Sequence, residues 1–196
     1  MDDRAPRVFA DVAVCVEATL ARVGKRIVLC APIGAGKPVA LVNEFWRRAI
    51  ADSSMDLTIM TGLTLSKPRG KTELERRLVG PMAARIFGDG PDPAWLEPLH
   101  ASALPANVHV HEFFLEPGAW LGSPLAQQSY ASINYTHVAR TVAAAGANVV
   151  VQQIALRSDA DGGRASLGTN PDVTIDLLPL LDERSRAGKP FAYIGQ

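Results

Sequence analysis

The stretch IVLCAPIGAGKPVALVNEF, residues Ile27 to Phe45, reads as a strand, a tight loop and a helix in immediate succession. Ile27 to Ala31 is a continuous apolar run closed by Pro32, the pattern of a strand buried on both faces. From Pro38 to Ile50 the spacing changes. Leu41, Val42, Phe45, Trp46, Ala49 and Ile50 fall on one helical face, and Pro38 suits a first helical position. Similar strand-like runs recur at Leu57 to Thr61, Asn107 to Phe114, Asn148 to Leu156 and Phe191 to Ile194. Continuous apolar strands alternating with helical segments predict an α/β fold, a mainly parallel β-sheet flanked by helices.

The remaining punctuation fills in this frame. A helix is expected from Thr72 through Leu74 and Leu78, broken at Gly80 and Pro81 before Met82 to Phe87 resumes. Asp92 and Pro93 read as an N-cap and first position for a short helix carrying Trp95 and Leu99. Val138 to Ala145 is an alanine-rich helix stopped by Gly146, and Val173 to Ala187 is a last helix containing Pro179 and stopped by Gly188. The polar segment Ser158 to Gly163 is expected as a surface turn joining the Val149 strand to an extended ASLGT segment. The 196 residues are expected to form one domain. The run FAYI, Phe191 to Ile194, is expected as an interior or edge strand whose closeness to the end suggests a cut before a further domain. Its uncovered edge would favour a homo-oligomer.

Twenty basic and twenty acidic residues leave no net charge, so the chain carries no overall electrostatic footprint for nucleic acid or an anionic membrane surface. The only cysteines, Cys15 and Cys30, sit inside apolar runs, which suits reduced, buried thiols better than a disulfide framework. The start MDDRAPRVF has no apolar segment after its charges, and a cytoplasmic setting is the default expectation.

The loop APIGAGKP, Ala31 to Pro38, nearly spells a phosphate-binding loop. Two positions depart from it. Ala31 stands where the first glycine belongs, and Pro38 stands where a hydroxyl should hold magnesium, so proline supplies neither that group nor a backbone donor. A stand-alone nucleotide-binding module using Gly34 to Lys37 is the alternative reading of this loop. The blandest account is that Gly34 and Gly36 permit a tight turn with positive φ.

The order of segments around this loop resembles the acetyl-CoA hydrolase/transferase family, and its 4-hydroxybutyrate CoA-transferase branch in particular. The resemblance runs from the loop ending Gly36-Lys37-Pro38 and the helix VALVNEF to the HEFF strand, His111 to Phe114. It continues through SINYTHVARTV, Ser132 to Val142, and NVVVQQIALRSDADGGRASLG, Asn148 to Gly168, covering most of residues 25 to 194. It implies the N-terminal half of an acyl-CoA hydrolase or CoA-transferase, acting on an acyl-CoA and a carboxylate. Coenzyme A thioester would be a substrate rather than a tightly bound cofactor. The family's nucleophilic glutamate would lie beyond Gln196, so no catalytic residue is assigned and the isolated chain is expected to be inactive. Gly34, Ala35 and Gly36 would supply backbone N–H groups to an oxyanion. Lys37 would reach a carboxylate or a CoA phosphate, or else be solvated on its turn.

Other chemistry-bearing residues have plainer readings. Glu112 and Glu116 bracket Phe113 to Leu115 and read as surface carboxylates. His109 and His111 alternate on one strand face and read as a polar face or a hydrogen-bonded pair, with no third ligand at recognisable spacing for a metal. His137 reads as structural, and Ser123 in LGSPL does not form a nucleophile elbow. A fold that has lost its chemistry and serves as an interaction domain is the third reading.

Overall fold

The computed structural model describes residues 6–157, 164–168, 170–171 and 173–196. It is an α/β fold. Strands β1 (Arg26–Cys30), β2 (Asp56–Thr61), β3 (Val108–Glu112), β4 (Val149–Gln152) and β7 (Ala192–Gly195) form a five-stranded sheet in the order β3-β2-β1-β4-β7. Every pairing in it is parallel, with Leu29 opposite Ile59 and Val149 and His109 opposite Thr58. Successive strands run to one side of β1 and then return to its other side, so the sheet has a switch point between β1 and β4. In open α/β sheets that crevice, beyond the carboxyl ends of the strands, is where ligands bind.

Alternation along the strands builds two cores. Ile27, Leu29, Leu57, Ile59, Val108 and Val110 join a cluster with Phe45 and Trp46 of helix α2 (Val39–Ala51). Val16 of α1 (Val12–Val23), Leu96 and Leu99 of α4 (Leu96–His100) and Ala126 of α5 (Pro124–Ser129) complete it. On the other face Cys30, Met60 and Val150 pack with Val138 and Val142 of α6 (Val138–Ala144) and Leu177 and Leu181 of α7 (Thr174–Arg186). Neither Cys30 nor Cys15 is joined in a disulfide among the described residues, and burial pushes the Cys15 thiol up. Among the described residues no helix is long and apolar enough to cross a membrane.

Several expectations change in detail. The run Asn148 to Leu156 is two strands: after Gln152 the chain leaves the sheet, because Gln153 N–H donates to Gly36 O (2.9 Å) and Ile154 N–H to Gln196 O (2.8 Å). The second strand, β5 (Ala155–Arg157), pairs antiparallel with β6 (Arg164–Ser166); the expected turn Ser158 to Gly163 lies outside the described residues. The helix around Gly80 and Pro81 is not broken. Helix α3 (Glu73–Phe87) runs through both, held at its start by a reciprocal cap between Thr72 and Glu75 and closed by Gly88 N–H on Ala84 O (3.0 Å). Pro81 is exposed, so the donor it lacks leaves a carbonyl that water can reach.

Asp92 does not cap the next helix. Its carboxylate accepts from Lys67 N–H (3.1 Å) and Arg69 (2.8 Å), tying the β2–α3 connection down, while α4 starts at Leu96. Ile50, expected in the core, is exposed. Gly146 and Gly188 follow α6 and α7 as expected, with φ of +98° and +83°. FAYI contributes edge strand β7, paired with β4 alone, and Tyr193 is exposed.

Candidate functional site

The carboxyl ends of the parallel strands deliver four connections to one rim: Ala31–Pro38 after β1, Gly62–Thr64 after β2, Phe113–Leu115 after β3 and Gln153 after β4. The first is the glycine loop. Gly34–Gly36 forms a single 3-10 turn, with Gly36 N–H donating to Ile33 O and Lys37 N–H to Gly34 O, both at 3.3 Å. Gly34 has φ +54°, the left-handed region that favours glycine, and its N–H donates to Leu63 O (3.2 Å). Gly36 is needed for a different reason, close approach. A Cβ there would lie 3.1 Å from Asn170 O and from Pro32 Cβ.

Of the loop's four backbone donors, three are therefore used within the fold. The fourth, Ala35 N–H, has no partner among the described residues, and Ala35 is the exposed tip of the loop. Asn170 and Gln152 lock the loop from the β4 side. Asn170 donates from Nδ2 to Ile33 O (2.6 Å), and buried Gln152 donates to Asn170 O (2.9 Å) and accepts from Thr174 Oγ1 (2.9 Å).

Lys37 is not a solvated turn lysine. It is 5% exposed, and its Nζ donates to Pro32 O (2.5 Å), to Gly62 O (3.1 Å) and to Thr61 Oγ1. Three acceptors match the three donors of a lysine head group, so the side chain staples the β1 loop to the end of β2. Glu112 also departs from expectation. It is 2% exposed rather than a surface carboxylate, and it accepts from Thr64 Oγ1 and from Thr64 N–H (3.4 Å). Burial raises its pKa above the ordinary value; the Thr64 hydroxyl and the Lys37 charge pull it partly back. Glu116 is exposed.

The other candidates are placed elsewhere. His109 and His111 share one sheet face, with His109 Nε2 3.9 Å from Asp56 Oδ1 and His111 Nδ1 3.2 Å from Ser129 O. With Thr58 and Met60 they line a groove of about 450 Å³ away from the glycine loop. Among the described residues no group of three or more histidine, cysteine or acidic side chains is placed to hold a metal ion. His137 is exposed, in a 3-10 turn capped by Asn134. Ser123 caps α5 and donates to Leu99 O (3.2 Å).

The polar residues around the loop, buried Thr61, Thr64 and Gln152 with half-buried Asn170, carry no signature in the sequence. Their one legible hint is polar residues where continuous apolar runs end. Compared with known proteins, the chain matches no family model, no curated protein and no solved structure.

Proposed function

We propose that this chain is the N-terminal half of an acyl-CoA hydrolase or CoA-transferase, with the loop from Gly34 to Lys37 forming one wall of the acyl-CoA site. The observation that carries the reading is the Ala35 N–H: a donor with no partner among the described residues, at the exposed tip of a glycine turn beside the β1/β4 switch point. In the resembled chemistry a carboxylate attacks the thioester carbonyl and the CoA thiolate leaves, giving a mixed anhydride. The thiolate then attacks the enzyme's acyl carbon and releases the substrate's acid. Each addition places negative charge on a carbonyl oxygen, and a donor already held in place stabilises it without reorganising. The hydrogen bonds of Lys37, Gln152 and Asn170 supply that rigidity. No glutamate among these residues is assigned as nucleophile, since Glu112 is enclosed and engaged with Thr64.

Isothermal titration of the full chain against acetyl-CoA and against magnesium-ATP tests the reading. Acetyl-CoA should bind saturably without turnover, and Ala35→Pro, which removes the N–H, should weaken binding about tenfold, the scale of one hydrogen bond. Magnesium-ATP binding that is lost in Lys37→Ala, with no acetyl-CoA binding, would establish the nucleotide reading instead. Failure of both ligands would favour an interaction domain.

A further inference from the structure

Helix α3 carries its large apolar side chains outward. Leu74, Leu78, Met82 and Ile86 are 77%, 69%, 56% and 71% exposed. They recur every fourth residue and so form one row along the helix, about 18 Å long. Single exposed apolar residues are ordinary, but a contiguous row marks an interaction surface. The helix does not need this row to form, because the Thr72–Glu75 cap and the Gly88 stop fix its ends, and Ala83 is its only buried residue.

We propose that this row is a self-association surface on which α3 of a second copy packs antiparallel. A twofold axis at the middle of the row sets Leu74 against the partner's Ile86 and Leu78 against the partner's Met82, closing the row on itself. The same register sets Glu75 opposite the partner's Arg85. Both groups have capacity for it: Glu75 uses Oε2 on Lys71 N–H (2.7 Å) and Thr72 N–H (2.9 Å), leaving Oε1, and Arg85 has no ion pair among the described residues. A parallel pairing would instead bring acidic first turns together and basic last turns together. The antiparallel arrangement also opposes the two helix dipoles. Four side chains make a smaller patch than the roughly 800 Å² per partner of a standard interface, so the dimer is reversible, with a Kd on the order of tens of micromolar.

Sedimentation velocity of the full chain from about 1 to about 500 µM, which brackets that Kd, reads the equilibrium directly. A monomer–dimer shift is expected. Leu78→Glu should abolish it, and Arg85→Glu should weaken it about tenfold, with circular dichroism confirming retained helix. Orientation is tested in a Cys15→Ser background. Leu74→Cys mixed with Ile86→Cys should give a disulfide-linked dimer, and Leu74→Cys alone should not. A chain that stays monomeric throughout, a dimer unaffected by Leu78→Glu, or efficient self-linking of Leu74→Cys would each overturn the proposal. So would a monomer that binds phosphatidylserine vesicles through the row and loses that binding in Leu78→Glu.

Discussion

Helices α2 and α3 come after neighbouring strands of one sheet and are of similar length, 13 and 15 residues, yet they stand in opposite relations to the core. Helix α2 has no side-chain cap at its start and buries Leu41, Val42, Phe45, Trp46 and Ala49. Helix α3 has a complete capping box and buries Ala83 alone. One helix is held by packing and the other by its ends. The polar groups at their roots invert the usual arrangement in the same way: Lys37, before α2, and Glu112, which holds Thr64 ahead of α3, are enclosed, while the leucines of α3 face outward. Burial in this chain depends on where an element is attached, not on the hydrophobicity of its residues alone.

The largest test of that contrast is a pair of truncations. Phe45→Ala should cost about 3–5 kcal/mol of stability, the loss of a fully buried aromatic plus its cavity. Leu78→Ala, at an exposed position, should change stability by no more than about 0.5 kcal/mol. Chemical denaturation at a protein concentration too low for association measures both, and comparable losses would break the distinction.

A smaller, pH-dependent effect is expected where the α3 excursion is rooted. Burial raises the Glu112 pKa above its ordinary 4.5, so the folded chain binds that proton more tightly than the unfolded chain does. Its contribution to stability is fully present below 4.5 and is lost as pH rises through the folded value. Glu112→Gln keeps an acceptor for Thr64 but cannot ionise. The melting temperature of this variant minus that of the parent should therefore become more positive between about pH 4 and about pH 8. A flat or falling difference would mean that the Thr64 bond and the Lys37 charge outweigh burial.

Legibility in the sequence divides along the same line. The parallel sheet was readable because its strands are continuous apolar runs, and α2 because five of its six expected core residues are buried. Helix α1 was not among the expected elements: the β-branched Val12, Val14 and Val16 weaken its helical signal, while the Asp11 cap, accepting from Ala13 N–H (2.7 Å), and the Gly24 stop mark its ends. Gly80 and Pro81 suggested a break that caps and solvent exposure override in α3. In the loop, Gly34 needs its positive φ as expected, whereas Gly36 answers to Asn170, far along the chain, which no local pattern announces. Lys37 and Glu112 look like surface charges until the ends of three strands are brought together around them.

The tip of the glycine loop is the proposed meeting point of an acyl-CoA thioester and the protein. Amide chemical-shift mapping of the isotope-labelled chain during an acetyl-CoA titration tests that directly, because each backbone N–H reports separately. The largest shift is expected at Ala35, with smaller ones at Gly34, Gly36 and Leu63. Shifts centred on His109, His111 and Thr58 in the sheet-face groove, with Ala35 unmoved, would contradict it.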